Sequence, residues 1–369
     1  MDLTRLGTRE RPTLGLDTFG DVPLDHGRPT VHQAEVIRQV VEEAVLADRV
    51  GVDYIGLGEH HRPDFAISAP DVVLAAIAGR TERIRLGTGV TVLSSDDPIR
   101  VHQRFATLDA VAPGRAEVQL GRGSFVESFA LFGLSLEDYD RLFAEKLDLF
   151  AAVQAADASG ESEGESRPVS WEGTIRPPVD GVQVHPATEH GLPAWIAVGG
   201  TPESVVRAAR YAMPLVLAVI GGSPRAFVQL ADLYRKALSQ LGHPELPVGM
   251  HSPGHVAATD EEAREQMFPH QAEQFTKIGR ERGWGGPYTR DVFDAGAEPE
   301  GALFVGSPET VARKIAWACR TLGLSRFQLK YAVGALPPDQ RLESIRLYGE
   351  EVIPRVRELL AEDRPEAGS

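Results

Sequence analysis

The chain has 369 residues, 42% hydrophobic and 25% charged, with 38 Lys plus Arg against 53 Asp plus Glu and a net charge of −15. These proportions belong to a globular chain that buries its core without covalent staples, which excludes collagen-like and disordered proteins. The acidic balance and the lack of a basic run exclude a nucleic-acid partner, but leave room for one local basic pocket.

The single cysteine, Cys319, forbids an intrachain disulfide and fits a cytoplasmic protein. It sits in the apolar helical pattern 312–322, which points to packing rather than reactivity. The polar stretch 1–12 has no signal-peptide core. The longest apolar run, 212–220, is far short of the roughly twenty residues a membrane span needs. Only five of the basic residues are Lys, a bias typical of GC-rich bacterial genomes, so any single Arg is a weak signal.

Strand and helix patterns alternate along the chain. A short apolar run, 13–19, predicts the first strand. Helix 31–50 follows, with Val36, Val40, Val41, Ala44 and Val45 on one face and Gly51 closing it. Residues 53–57 read as strand two and 70–80 as a short helix opened by Pro70 and Asp71. Strand three spans 84–93, and helix 99–111 stops at Pro113-Gly114. Strand four is 116–121, then a long helix covers 137–158. Strands 194–198, 214–220, 247–257 and 326–333 complete the set, with helices 308–322 and 338–360. Eight strand–helix alternations without a linker predict one (β/α)8 TIM-barrel domain over 1–369. A doubly wound sheet is the competing fold, but no G-x-G-x-x-G follows a strand. Two segments interrupt the rhythm: the acidic, Gly/Ser-rich 159–168, expected to be mobile, and 260–301, an insertion after strand seven expected to cap the active site.

Five constellations lie where barrel strands end. Glu59-His60-His61 follows strand two, where adjacent histidines serve as acid, base or metal ligand, or simply as a polar turn. Gly199-Gly200-Thr201-Pro202-Glu203-Ser204 joins strand five to a helix; the glycines and the helix N-terminus suit a phosphate, or mark an ordinary capped start. Arg122, between Gly121 and Gly123, suits forked phosphate contacts, or pairs with a carboxylate such as Glu127. Small residues at Gly87, Thr88, Gly89 and Val90 leave space for a flat ring, or form a packing layer. His251 and His255 share a strand face and would join His60 and His61 as metal ligands only if Pro253-Gly254 kept the strand regular.

Taken in order, GLGEHHRPDF, ERIRLGTGVTVLSSDDPIRV, LDAVAPGRAEVQLGRGS, YDRLFAEKLDLF and WIAVGGTPES resemble the bacterial luciferase-like family of flavin-dependent oxidoreductases. The resemblance is strongest over 53–210. It implies a barrel that uses reduced FMN, often from a separate flavin reductase, and dioxygen. The oxygen attacks flavin C4a, and the resulting (hydro)peroxyflavin oxidises a small organic substrate. It implies a homodimer. It makes His60 the catalytic histidine, flanked by Glu59 and His61. Thr88, Gly89 and Val90 would lie under the isoalloxazine, with a cis peptide at Gly89-Val90. Arg122, Gly123, Arg141, Gly199, Gly200, Thr201 and Ser204 would hold the phosphate; no metal is implied. Where luciferase carries a reactive cysteine this chain has Gly121, so light emission is not implied. Deazaflavin-dependent members would show an Asp-His-Phe motif in place of Glu59-His60-His61. A flavin binder without turnover and a metal-dependent barrel hydrolase are the remaining alternatives.

Overall fold

The computed structural model describes residues 4–25, 28–123, 125–158, 166–283 and 286–362. The barrel strands are β1 (Thr13–Thr18), β2 (Tyr54–Leu57), β3 (Arg85–Thr88), β4 (Val118–Gly121), β5 (Ala194–Val198), β6 (Leu215–Ala218), β7 (Val248–Val256) and β8 (Arg326–Lys330). All pair in parallel, in the order β3-β2-β1-β8-β7-β6-β5-β4. The ring closes because the chain continues past β3 into Thr91–Val92, which pairs with Leu120 and Gly121 of β4. The single strand expected over 84–93 is therefore two pieces. Between them the Gly89-Val90 peptide is cis. Thr88 bridges the interruption: the Gln119 N–H donates to its Oγ1 at 3.0 Å, and that hydroxyl donates to the Gln119 carbonyl at 3.0 Å.

The surrounding helices are α1 (Gln33–Arg49), α2 (Pro70–Ala78), α3 (Pro98–Val111), α4 (Tyr139–Ala158), α5 (Pro202–Arg210) and α6 (Val228–Gln240). After β7 come α7 (Asp260–Arg282) and α8 (Arg290–Ala297), then α9 (Pro308–Leu322), α10 (Pro338–Leu347) and α11 (Ile353–Glu362). Proline opens α2, α3, α5, α9 and α10, where a missing N–H costs nothing. The final helix expected over 338–360 is broken by a π turn at Tyr348–Val352, next to Pro354, which cannot donate the regular helical bond. The strand expected to break at Pro253-Gly254 does not. Phe304–Gly306 pairs with its distal half, and a side chain at Gly254 would meet the Phe304 carbonyl at 2.3 Å. Most of the acidic segment 159–168, namely 159–165, lies outside the described residues, as do 284 and 285 of the segment 260–301.

The main core fills the layer between barrel and helices, with Leu14, Leu16, Ile55, Leu57, Val40, Ala44 and Ile77 all buried. Inside the barrel the filling is different. The Tyr54 ring lies across β1–β3, and side chains at Gly15 or Gly87 would approach it within 2.8 and 2.6 Å. Gly87 is thus small to admit a tyrosine, which decides its role in favour of packing. Beside Tyr54, Arg326 pairs with Glu117 at 2.8 Å, both fully buried, and the guanidinium stacks between Tyr54 and Trp195 at 4.5 and 4.1 Å. Burial raises the Glu117 pKa, but Arg326 and Arg85 more than offset this and hold the carboxyl below its ordinary value. Cys319 is buried in the helix layer, which pushes its thiol pKa up to about 12.

Candidate active site

The C-terminal ends of the strands open into a cavity of about 440 Å³. Each wall comes from a different element. β1 contributes Phe19 just past its end, and β2 runs into Glu59, His60 and His61. The break after β3 supplies Gly89 and Val90. β4 leads to Gly121, Arg122 and Gly123, and β5 to Gly199 and Ser204. His251 comes from β7 and Lys330 from β8. Helix α7 lies over them and contributes Gln271, Gln274, Phe275, Ile278 and Arg282.

His60 is held in an aromatic nest. Its ring centroid lies 4.6 Å from Phe19, 4.4 Å from Phe65 and 5.3 Å from Phe125. Burial, with Lys330 adding repulsion, lowers its pKa to about 3, so the imidazole is neutral at physiological pH. Glu59 fixes the neighbouring backbone. Its Oε2 accepts from the Val92 N–H at 2.9 Å and its Oε1 meets His61 Nε2 at 3.0 Å. Its own N–H donates to the Val90 carbonyl at 3.0 Å. Glu59 therefore positions the segment 90–92 rather than the cavity centre.

Arg122 lines the same cavity and pairs with Asp140 at 2.6 Å, while Glu127, the partner weighed from sequence, is drawn instead to Arg62 at 2.5 Å. The N-terminus of α5 reaches the cavity through Gly199 and Ser204. Its N-cap residue Thr201 makes no side-chain cap bond; the hydroxyl donates to Ser204 Oγ at 2.7 Å. Side chains added at Gly199 or Gly200 would meet nothing within 4 Å, so open space lies before the helix end. Gly121 has a different reason to be small: a Cβ there would stand 2.6 Å from Val90.

Not every expected residue reaches the cavity. Thr88 is buried in the wall, occupied by Gln119. Arg141 is exposed and is drawn to Asp138 at 2.6 Å and Thr174 at 3.0 Å. Gly200 and Thr201 are exposed neighbours of the lining. His251 faces the cavity and bonds Asp17 Oδ2 through Nδ1 at 2.6 Å, whereas His255 turns to Gln266 of α7 at 2.7 Å. The histidines therefore do not gather, and no cluster of three metal-ligating residues occurs among the described residues.

Sequence reasoning missed Asp17, Phe19, Lys330 and the α7 face. Lys330 Nζ donates to Asp21 at 3.1 Å and lies 4.7 Å from the Phe19 ring. A signal was present for α7: positions 271, 274, 275, 278 and 282 repeat at helical spacing. Arg62 locks that helix down, pairing with Asp64 at 2.9 Å, Glu127 at 2.5 Å and Glu281 at 2.8 Å. Lys277 joins Asp64 at 2.8 Å and Gln274 donates to Asp21 at 2.8 Å.

A parallel (β/α)8 barrel with a covered cavity at its C-terminal face is the architecture of a barrel enzyme. The luciferase-like monooxygenase family model matches residues 18–326, and the chain belongs to that family. The alkanal monooxygenase alpha chain of Photorhabdus luminescens is 25% identical over 228 residues, 61% of this chain and 60% of that one. The match thus spans less than two thirds of that relative's length. Among solved structures, the oxygenating constituent of 3,6-diketocamphane monooxygenase from Pseudomonas putida, in complex with FMN, shares the fold with a TM-score of 0.74 at 19% identity, over 94% of this chain and 99% of that one. An F420-dependent secondary alcohol dehydrogenase shares it with a TM-score of 0.71 at 16% identity, over 94% and 99%. No helix among the described residues is long and apolar enough to cross a membrane.

Proposed function

We propose that the protein is a flavin-dependent monooxygenase that uses reduced FMN and dioxygen to oxidise a small organic substrate. The observation that carries this reading is that one covered cavity is lined by Arg122, the open start of α5, the backbone step Gly89-Val90, and the neutral His60. These residues fit the cofactor. The α5 N–H groups and helix dipole, with Arg122, bind a phosphate. Gly123 lets the chain turn beside Arg122, and Ser204 adds a hydroxyl. Gly89 and Val90 form a flat seat for a ring system. Arg141 stands further out and contributes charge only if it leaves Asp138.

Reduced FMN, when bound, supplies the electrons that activate dioxygen. His60 is neutral in its aromatic nest and only weakly basic, so its ring hydrogen-bonds and orients the reacting groups rather than carrying their proton. Glu59 and His61 hold the seat in register. Helix α7 excludes water from the cavity. Following the family resemblance, we place the protein in the cytoplasm as a homodimer supplied by a separate flavin reductase.

The competing reading keeps the barrel and replaces FMN by a deazaflavin that carries hydride. Anaerobic titration with reduced FMN and with a reduced deazaflavin separates the two, followed by admission of oxygen. Tighter binding of reduced FMN, with oxygen uptake coupled to product, is the expected result. Tighter deazaflavin binding, or bound flavin without substrate turnover, overturns the proposal.

A further inference from the structure

A second cavity, of about 430 Å³, lies where the strands begin, on the barrel face away from the active-site cavity. Arg5 and Arg11 reach it from the segment before β1, Asp53 from the turn into β2, Arg83 and Arg85 from the start of β3, and Arg357 from α11. Five arginines therefore share a wall with one carboxylate, in a chain whose net charge is −15.

That carboxylate is already engaged. Asp53 accepts from Arg357 Nη2 at 2.8 and 3.0 Å and from the Leu14 N–H at 2.9 Å. The neighbouring acids Glu10, Asp48, Glu82 and Glu117 are not part of the wall. Asp48 accepts the N–H groups of Arg83 and Ile84 at 2.9 and 2.7 Å, and Glu117 is shared between Arg85 and Arg326. Carbonyls pin three of the arginines, which orients a guanidinium without neutralising it. Arg5 Nη2 donates to Gly191 at 3.0 Å, Arg83 Nη2 to Asp48 at 2.6 Å and Arg85 Nη1 to Gly114 at 3.2 Å. Nη1 of Arg5, Arg83 and Arg357 makes no hydrogen bond among the described residues. Arg11 is exposed, and among those residues only its backbone is bonded, to Thr8.

Guanidinium groups gathered round one cavity repel one another unless an anion stands between them. Their forked N–H donors match the oxygens of phosphates and carboxylates. The volume suits a small molecule, and the acidic chain as a whole repels a long polyanion. We propose that this pocket binds a small polyvalent oxyanion, a phosphate ester or a polycarboxylate, which ties the segment before β1 to β3 and α11. The site is separate from the proposed flavin cavity and does not depend on that reading.

The flavin-free protein is titrated calorimetrically with pyrophosphate and with citrate, and with acetate at matched ionic strength. One equivalent of pyrophosphate or citrate should bind about tenfold or more tightly than acetate and raise the melting temperature. The tighter of the two shows whether phosphate or carboxylate is the recognised group. Arg11→Gln and Arg83→Gln alter exposed side chains, and together they should weaken that binding by about tenfold. Arg122→Ala should leave it unchanged, because Arg122 lines the other cavity. Should the double variant be unstable, Arg11→Gln alone decides, since it removes no side-chain bond among the described residues: about threefold weaker binding is expected, and an unchanged affinity overturns the proposal. Binding of neither probe, an equal effect of acetate, affinity that survives the double variant, or affinity lost in Arg122→Ala also overturns it.

Discussion

Arg122→Ala tests the phosphate end of the cavity. A hydrogen bond to a charged partner is worth about 1.5–3 kcal/mol. Two features of the structure reduce this here. The Arg122 side chain is 31% exposed, so water screens it, and Asp140 holds it at 2.6 Å, so a phosphate must share it. The N-terminus of α5 stays in place when the guanidinium is removed. The expected loss is therefore about 1–2 kcal/mol, roughly a 5- to 30-fold weaker Kd for FMN. The assay is fluorescence titration with FMN and, in parallel, with riboflavin, which has the ring but no phosphate. The variant should weaken FMN and leave riboflavin as it was. Asp140→Asn should act in the opposite direction and tighten FMN, because it frees the guanidinium. Equal weakening of both flavins would show that Arg122 supports the fold of the site rather than the phosphate, and an unchanged FMN affinity would refute the assignment outright.

His60→Ala should bind FMN with near wild-type affinity and lose product formation in single-turnover assays with reduced flavin; retained turnover would remove His60 from the chemistry. His60 also predicts a stability effect. Its folded-state pKa of about 3 lies below the ordinary 6.5, so the unfolded chain takes up a proton that the folded chain refuses. Its contribution is full above pH 6.5 and falls as the pH drops towards 3. Between pH 7 and 5 the wild type should lose about 2 kcal/mol more than His60→Phe in urea unfolding, and parallel curves would refute a buried neutral imidazole. Arg62→Met leaves Asp64, Glu127 and Glu281 without their shared cation and should destabilise by about 2–3 kcal/mol, less than a fully buried pair because two of the carboxylates are partly exposed. Amide exchange along α7 should quicken; unchanged protection would mean that the helix is held by packing alone. Cys319, with its thiol pushed up to about 12, should resist thiol reagents in the native state, and rapid modification would contradict its burial.

The barrel was legible because period-two and period-3.6 patterns alternate without a gap, and prolines mark the helix starts. The same patterns do not report what happens inside the barrel. Gly87 and Gly89 look alike in sequence, yet one makes room for Tyr54 and the other lines the cavity. The motifs at the ends of β2, β4 and β5 pointed to wall residues such as His60, Arg122 and Ser204, because the side chains at those ends must face one another once the strands close. Ion-pair partners were illegible for a physical reason. Glu127 lies near Arg122 in sequence, but Arg62 and Asp140 come from other elements and take the two apart. Asp17 and His251 meet through a register between distant strands.

The net charge of −15 opposes the anionic cofactor proposed above, and the geometry resolves the conflict. Arg122 is tethered to Asp140, Lys330 to Asp21, and Arg62 behind the wall to three carboxylates. Each tether fixes a cation in one orientation but cancels most of its field at a distance. The N–H groups at the start of α5 are not tethered in this way: Glu203 stands in the first turn, but no side chain caps the helix and its dipoles are fixed by the backbone. The attraction for a phosphate must then come mainly from the helix end, with Arg122 orienting what the helix holds. A phosphate bound so is chosen by short-range geometry rather than by net charge, so an acidic protein can bind it. This is also why removing Arg122 should cost a fraction of the binding energy rather than all of it.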